Sequence, residues 1–136
     1  MKYACIVIAV LVILAGCNGK QHSIVTAHNK MVAAEQHYFT EYTTAIENEH
    51  FEGCHAATTG YLNAVQNINM SGCPEDYKQA MKRLENSLSE ISGYFSGANN
   101  IKNVDHEKLN ALQNARLDAT MNLNDVARGH GVIIAN

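Results

Sequence analysis

The sequence predicts an all-α, antiparallel helical bundle of about four helices, the second one short or kinked. Three observations carry that expectation. Four stretches repeat apolar residues in steps of three and four, the period of a helix. Nowhere does the chain alternate apolar and polar residues over the length of a strand. Glycine, the single proline and cap-forming residues fall between the stretches, where short loops belong. At 136 residues the chain has room for one core, and it contains no repeat or low-complexity tract.

The first helix carries Ile24, His28, Met31, Glu35, Tyr38, Tyr42 and Ala45 on one stripe, widened by Val32, Phe39 and Ile46. Ser23 suits its N-cap, and the expected span is about residues 24–50, roughly 40 Å at 1.5 Å per residue. His28 and Glu35 are the two positions on this seam that do not look like core. The phase slips between Glu49 and Gly53, after which Phe51, Cys54, Thr58, Tyr61, Val65 and Ile68 form a second series. A phase slip beside glycine reads as a turn or a kink. This second helix stops at Ser71-Gly72.

Pro74 sits at the expected first position of the third helix, followed by Glu75 and Asp76; a fixed φ and negative charge both suit a helix start. Tyr77, Met81, Leu84, Leu88, Ile91 and Phe95 carry the period, and Gly97 is the expected C-terminal cap. A polar loop from Gly97 to Asn103 precedes the fourth helix. Asp105 is its expected N-cap, with Val104 and Leu109 placed to form a hydrophobic staple. Leu109, Leu112, Arg116, Ala119, Leu123 and Val126 form the stripe, flanked by Leu117 and Met121, and Gly129 closes the helix. Val132 to Ala135, apolar and behind a Gly-His-Gly turn, are expected to cover one end of the core.

The chain opens with Met1-Lys2, an apolar run from Tyr3 through Leu14, and Leu14-Ala15-Gly16-Cys17. One positive charge, a short apolar core and a small-residue cleavage region form the pattern of a secretory signal, and the run is short for a permanent span. Leu14-Ala15-Gly16-Cys17 resembles the lipobox of bacterial lipoproteins, and it lies directly behind the apolar run. The resemblance implies cleavage before Cys17 and acylation of Cys17, palmitate included. It divides the chain into a signal peptide (1–16), a lipidated tether (17–22) and a helical bundle domain (23–136). An Asp after the cysteine favours inner-membrane retention in enteric-type bacteria; Asn18 stands there, so the resemblance implies the outer membrane of a Gram-negative host, facing the periplasm.

Without residues 1–16 the chain keeps nine Lys and Arg against thirteen Asp and Glu, a formal charge of −4. That balance disfavours nucleic acid and an anionic lipid surface as partners. Attachment to the bilayer is expected through the acyl chains on Cys17. Cys5 leaves with the signal peptide and Cys17 is acylated, so Cys54 and Cys73 remain, and two thiols in an oxidising periplasm suggest one disulfide. A straight helix from Cys54 to Asn69 would separate its ends by over about 20 Å, whereas a disulfide needs Cα atoms within about 7 Å. Either the second helix begins late, near Gly60, or the two cysteines do not pair; the late start is the favoured reading.

Seven histidines, His22, His28, His37, His50, His55, His106 and His130, raise the possibility of haem or metal. In an up-and-down bundle the start of the first helix and the end of the last share one pole, so His28 or Met31 could face His130. The layout, though no local motif, resembles cytochrome b562-type periplasmic bundles. Cys54-His55 lacks the second cysteine of a haem-attachment motif. Glu47, Glu49, His50, Glu52 and His55 form a second group, but a five-residue histidine spacing misses the i, i+4 register that shares a metal, and a solvated acidic turn is the favoured reading. No serine elbow or phosphate-binding glycine pattern is present. Tyr38, Tyr42, Tyr61, Tyr77 and Tyr94 lie on apolar stripes and are expected in the core. The expectation is therefore a non-enzymatic, membrane-anchored module without a cofactor that binds another envelope protein, as an assembly factor, a pilotin or an exclusion factor; a haem- or metal-binding carrier using His28, Met31 and His130 is the alternative.

Overall fold

Residues 19–98 and 103–134 are described by the structure, a computed structural model. The expected signal segment, Cys17 and residues 99–102 of the expected polar loop lie outside them. Four helices follow in chain order: α1 (Gly19–Glu47), α2 (Phe51–Gln66), α3 (Glu75–Ala98) and α4 (His106–Gly129). Each packs along the next, giving the expected all-α up-and-down bundle, while α1 and α4 touch far less than the consecutive pairs.

Helix boundaries follow from how the terminal backbone groups find partners. Helix α1 starts at Gly19, five residues before the expected position, and the expected tether over 17–22 is helical from there on. Ser23, expected as a cap, lies inside the helix and donates its hydroxyl to Gly19 O at 3.1 Å. The Gln21 amide, on the same first turn, donates to Gly131 O at 3.1 Å and ties the start of α1 to the end of α4. At the other end, His50 N donates to Ala45 O at 2.8 Å and Glu49 N to Ile46 O at 3.0 Å, with Glu49 in the left-handed region at φ 52°. That is a Schellman closure built on a glutamate in place of the usual glycine.

Helix α4 starts as expected: the Asp105 carboxylate accepts from Lys108 N at 3.0 Å. It ends in a second Schellman closure, in which the left-handed residue is Gly131 (φ 81°) and Val132 N donates to Ala127 O at 3.1 Å. Val132 is thereby turned into the core, as expected for the apolar tail, while Ile133 faces outward. Helix α3 runs through Gly97 to Ala98, past its expected cap.

Helix α2 begins at Phe51 and does not start late. Gly53 makes the early start possible, because a Cβ there would stand 2.8 Å from both Ala45 Cβ and His50 Nδ1. The expected Cys54–Cys73 disulfide is consequently not formed, and both cysteines are buried free thiols. Cys54 sits in the first turn of α2, and the helix rises about 18 Å from there to Gln66 before the chain turns back toward Cys73.

The buried side chains form two clusters. The larger runs from Ile24, Met31 and Tyr38 on α1 through Tyr61, Tyr77, Leu84 and Leu88 to Leu123 and Val132. A smaller one, Ala45, Cys54, Ile91 and Phe95, lies at the pole where α1 ends and α4 begins. Three of the five tyrosines expected in the core, Tyr38, Tyr61 and Tyr77, are almost completely buried.

Burial pushes both the Cys54 and the Cys73 thiol above the ordinary range. We expect the intact mass of residues 19–136 to be unchanged by reduction, and both thiols to alkylate slowly in the folded protein but rapidly in denaturant. A gain of two protons on reduction would mean that they are paired.

Candidate functional site

Helices α1 and α4 meet through polar side chains. Glu35, read from the sequence as a misfit on the apolar stripe of α1, receives Arg116 Nη1 at 3.1 Å, and Thr120 donates to the same carboxylate oxygen at 3.5 Å. Arg116 is buried, and its Nε donates to Gln113 Oε1 at 3.1 Å. Gln113 also bonds Tyr38 Oη, and the guanidinium lies 5.2 Å from the Tyr38 ring centroid and 5.1 Å from that of Phe39. Burial pushes the Glu35 carboxyl up, and the neighbouring Arg116 and Thr120 hold that rise in check.

Further along the same seam, His28 is fully buried, and its Nδ1 shares a 3.2 Å hydrogen bond with the Tyr77 hydroxyl. Its Nε2 finds no partner among the described residues, nor does Asn124 Oδ1. Gln21 meets Gly131 and Glu35 meets Arg116, and this register sets His28 and Asn124 at one level of the seam. Burial first, and the charge of Arg128 second, lower the His28 ring from 6.5 to about 4, so it is neutral in the folded protein.

The three residues of the haem or metal alternative are engaged separately. His28 is held by Tyr77, Met31 Sδ accepts from the Tyr61 hydroxyl at 3.6 Å, and His130 Nε2 donates to Asp76 Oδ2 at 2.8 Å. Among the described residues no group of three His, Cys, Asp or Glu side chains is placed to hold a metal ion. In the acidic turn, His55 Nε2 is shared between the hydroxyls of Ser92 and Ser96, while His50 faces a cleft.

That cleft, of about 340 Å³, opens at the pole formed by the end of α1, the start of α2, the end of α3 and the start of α4. Its volume lies at the lower end of the range for ligand sites. Tyr42, Ile46, Phe51, Phe95 and Leu109 give it apolar walls, and Glu49, His50 and His106 form its polar rim. The smaller buried cluster is its floor, with Phe51 edge-on to Phe95 at 5.3 Å between ring centroids. Val104 and Leu109, the expected staple of α4, both face it. No local sequence pattern marks this cleft directly. The signal lay in Glu49 to Gly53, where the helix phase slips: the tight turn leaves Phe51 and His50 at the mouth.

Four apolar residues expected to flank the core are instead between 46% and 56% exposed: Phe39 and Ile46 on α1, Leu117 and Met121 on α4. Seven- and four-residue spacings put each pair on one side of its helix. Of the four, Ile46 also lines the cleft.

Charge is distributed unevenly along the bundle. Residues 34–61, 84–98 and 103–117, the half holding the cleft, carry nine carboxylates against Lys108 and Arg116. Residues 19–33, 62–83 and 118–134, at the opposite pole, carry six Lys and Arg against four carboxylates. No family model matches the chain, and neither a curated protein nor a solved structure matches it.

Two outcomes follow from the seam. Arg116→Ala, which leaves the partly buried Glu35 carboxylate without its cation, is expected to lower stability by about 2 kcal/mol or more in urea unfolding, and the double replacement Glu35→Leu with Arg116→Met by less. For His28 the unfolded chain binds more protons than the folded one between about pH 4 and pH 6.5. Its contribution is complete above pH 6.5 and is lost as pH falls toward 4, by about 3 kcal/mol. Glu35, shifted upward, acts with the opposite sign, so the difference between wild type and His28→Leu isolates the histidine; that difference is expected to vary with pH only in this window.

Proposed function

We propose that the chain is a lipid-anchored, non-catalytic module of the bacterial envelope that binds another protein through the pole bearing the cleft. The observation that carries this reading is the placement of that cleft. Gly19 opens α1 two residues after Cys17, and the cleft lies at the other end of the same helix. Twenty-nine residues rise about 43 Å. A lipid on Cys17 would hold one pole at the bilayer with little slack and present the cleft pole to the periplasm.

Other features support the same reading. No helix among the described residues is long and apolar enough to cross a membrane, so an anchor at Cys17 would be the means of attachment. Among the described residues that line the cleft no nucleophile is hydrogen-bonded to a base, and burial pushes the Cys54 thiol up and away from reactivity. Ile46 on the cleft wall, with Phe39 two turns away on the same side of α1, is exposed apolar surface of the kind that a partner protein covers. Asn18 after the acylated position favours the outer membrane.

Cys17→Ser is expected to move the protein from the membrane fraction to the soluble periplasm, read by fractionation and by the loss of the lipid mass. Persistent membrane association of that variant counts against the anchor. A photo-crosslinking residue in place of Ile46 is expected to give a discrete envelope-protein adduct in cells, and the same residue in place of Ser89, on the exposed face of α3, none. Equal labelling at both positions counts against the cleft pole as the binding face.

A further inference from the structure

We infer that the cleft receives an apolar side chain of the partner presented on a basic segment, with lysines or arginines on either side. This inference rests on the protein-binding reading above and specifies the partner's chemistry.

The cleft itself selects the anchor residue. Its walls are aromatic and aliphatic, its floor is the buried cluster around Phe95, and a volume of about 340 Å³ accommodates one large side chain with part of its neighbour. Such a pocket gains from burial of apolar surface, about 25 cal/mol per Å² removed from water. Its polar lining is Glu49, His50, His106, Asn110 and Gln113, with no Lys or Arg among the described residues that form it.

The surroundings select the flanks. Of the two Lys and Arg among the described residues of this half, Arg116 is buried against Glu35, and Lys108 lies over the Tyr94 ring, 5.6 Å from its centroid. Glu41, Glu47, Glu49 and Glu52, all exposed, cluster around the α1–α2 turn, and Asp105 and Glu107 stand at the start of α4 across the mouth. Their mutual repulsion is relieved by a cationic segment and increased by an acidic one. The opposite pole has the reverse balance, so the preference belongs to the cleft end and not to the surface as a whole.

The chain contains no tryptophan, so a tryptophan in a probe peptide is the only indole emitter. The test titrates the full chain in dodecyl maltoside micelles with Lys-Lys-Trp-Leu-Lys-Lys and with Glu-Glu-Trp-Leu-Glu-Glu, using protein-free micelles as blank. The expected result is a saturable blue shift with the basic peptide alone, at least fivefold weaker in 300 mM than in 50 mM NaCl. Ile46→Asp, a change at a half-exposed wall position, is expected to weaken it at least tenfold. The pair Glu47→Lys with Glu49→Lys is expected to weaken the basic peptide and admit the acidic one. Circular dichroism confirms that each variant is folded.

Equal binding of both peptides overturns the inference and marks the cleft as a pocket for apolar ligands in general. Basic-peptide binding that Ile46→Asp leaves unchanged overturns it as well, by placing the contact on the acidic surface outside the cleft. Absence of binding by either peptide overturns it too, and the crosslinker at position 46 then separates two cases. A discrete adduct there leaves the protein-binding reading standing with a partner of other chemistry; no adduct removes that reading also.

Discussion

The ion pair between Glu35 and Arg116 sets the terms on which the bundle closes. Two charges removed from water are tolerated only with close geometry and full hydrogen bonding, and Gln113, Thr120 and Tyr38 complete the arrangement. A seam built this way has a fixed register, because sliding α1 past α4 by one turn would separate the charges. It also keeps the two helices from interlocking through apolar side chains, as the other neighbouring pairs do. The buried network therefore specifies the arrangement more than it stabilises it.

Its position accounts for the two-part core. On one side of the pair, toward Ile24 and Val132, large side chains from all four helices interdigitate. On the other side the core narrows to the smaller cluster of Ala45, Cys54, Ile91 and Phe95, and the space between α1 and α4 becomes the cleft. Small residues at the α1–α2 turn, Ala45 and Gly53, draw those helices together and leave Phe51 and Phe95 to line the opening. The same asymmetry appears in charge: carboxylates gather at the loosely packed end and cations at the other. In the proposed reading, the tightly packed pole is the one held at the membrane, and the pole with an unfilled apolar space is the one presented to a partner.

Much of the fold was legible because the helix period is a local property. The stripes through Met31, Tyr61, Leu84 and Leu123 all lie in the core, and Asp105 caps α4 as its place before the fourth stripe implied. His28 and Glu35 also stood out as polar residues on an apolar seam; His28 is buried and Glu35 partly buried, each with a partner from another helix. The misjudged positions share a cause. Phe39, Ile46, Leu117 and Met121 lie at the edges of their stripes, where exposure depends on how far apart α1 and α4 stand. That separation is set by Arg116 on the opposite helix, and no single stripe records it.

Periodicity, capping residues and a single proline determined four helices and most of their ends, because these depend on neighbours within a turn or two of chain. Pairing across the bundle was decided by the tertiary structure alone. Cys54 and Cys73 suggested a disulfide by compartment and number, yet a continuous α2 keeps them apart as two buried thiols. His28, Met31 and His130 suggested a shared ligand by pole, yet Tyr77, Tyr61 and Asp76 take them separately. The cleft arises where four helix ends meet, from residues between 42 and 113 that share no local pattern. Such features depend on distances between elements, and these are fixed by packing and by the buried charge pair only once the helices have come together.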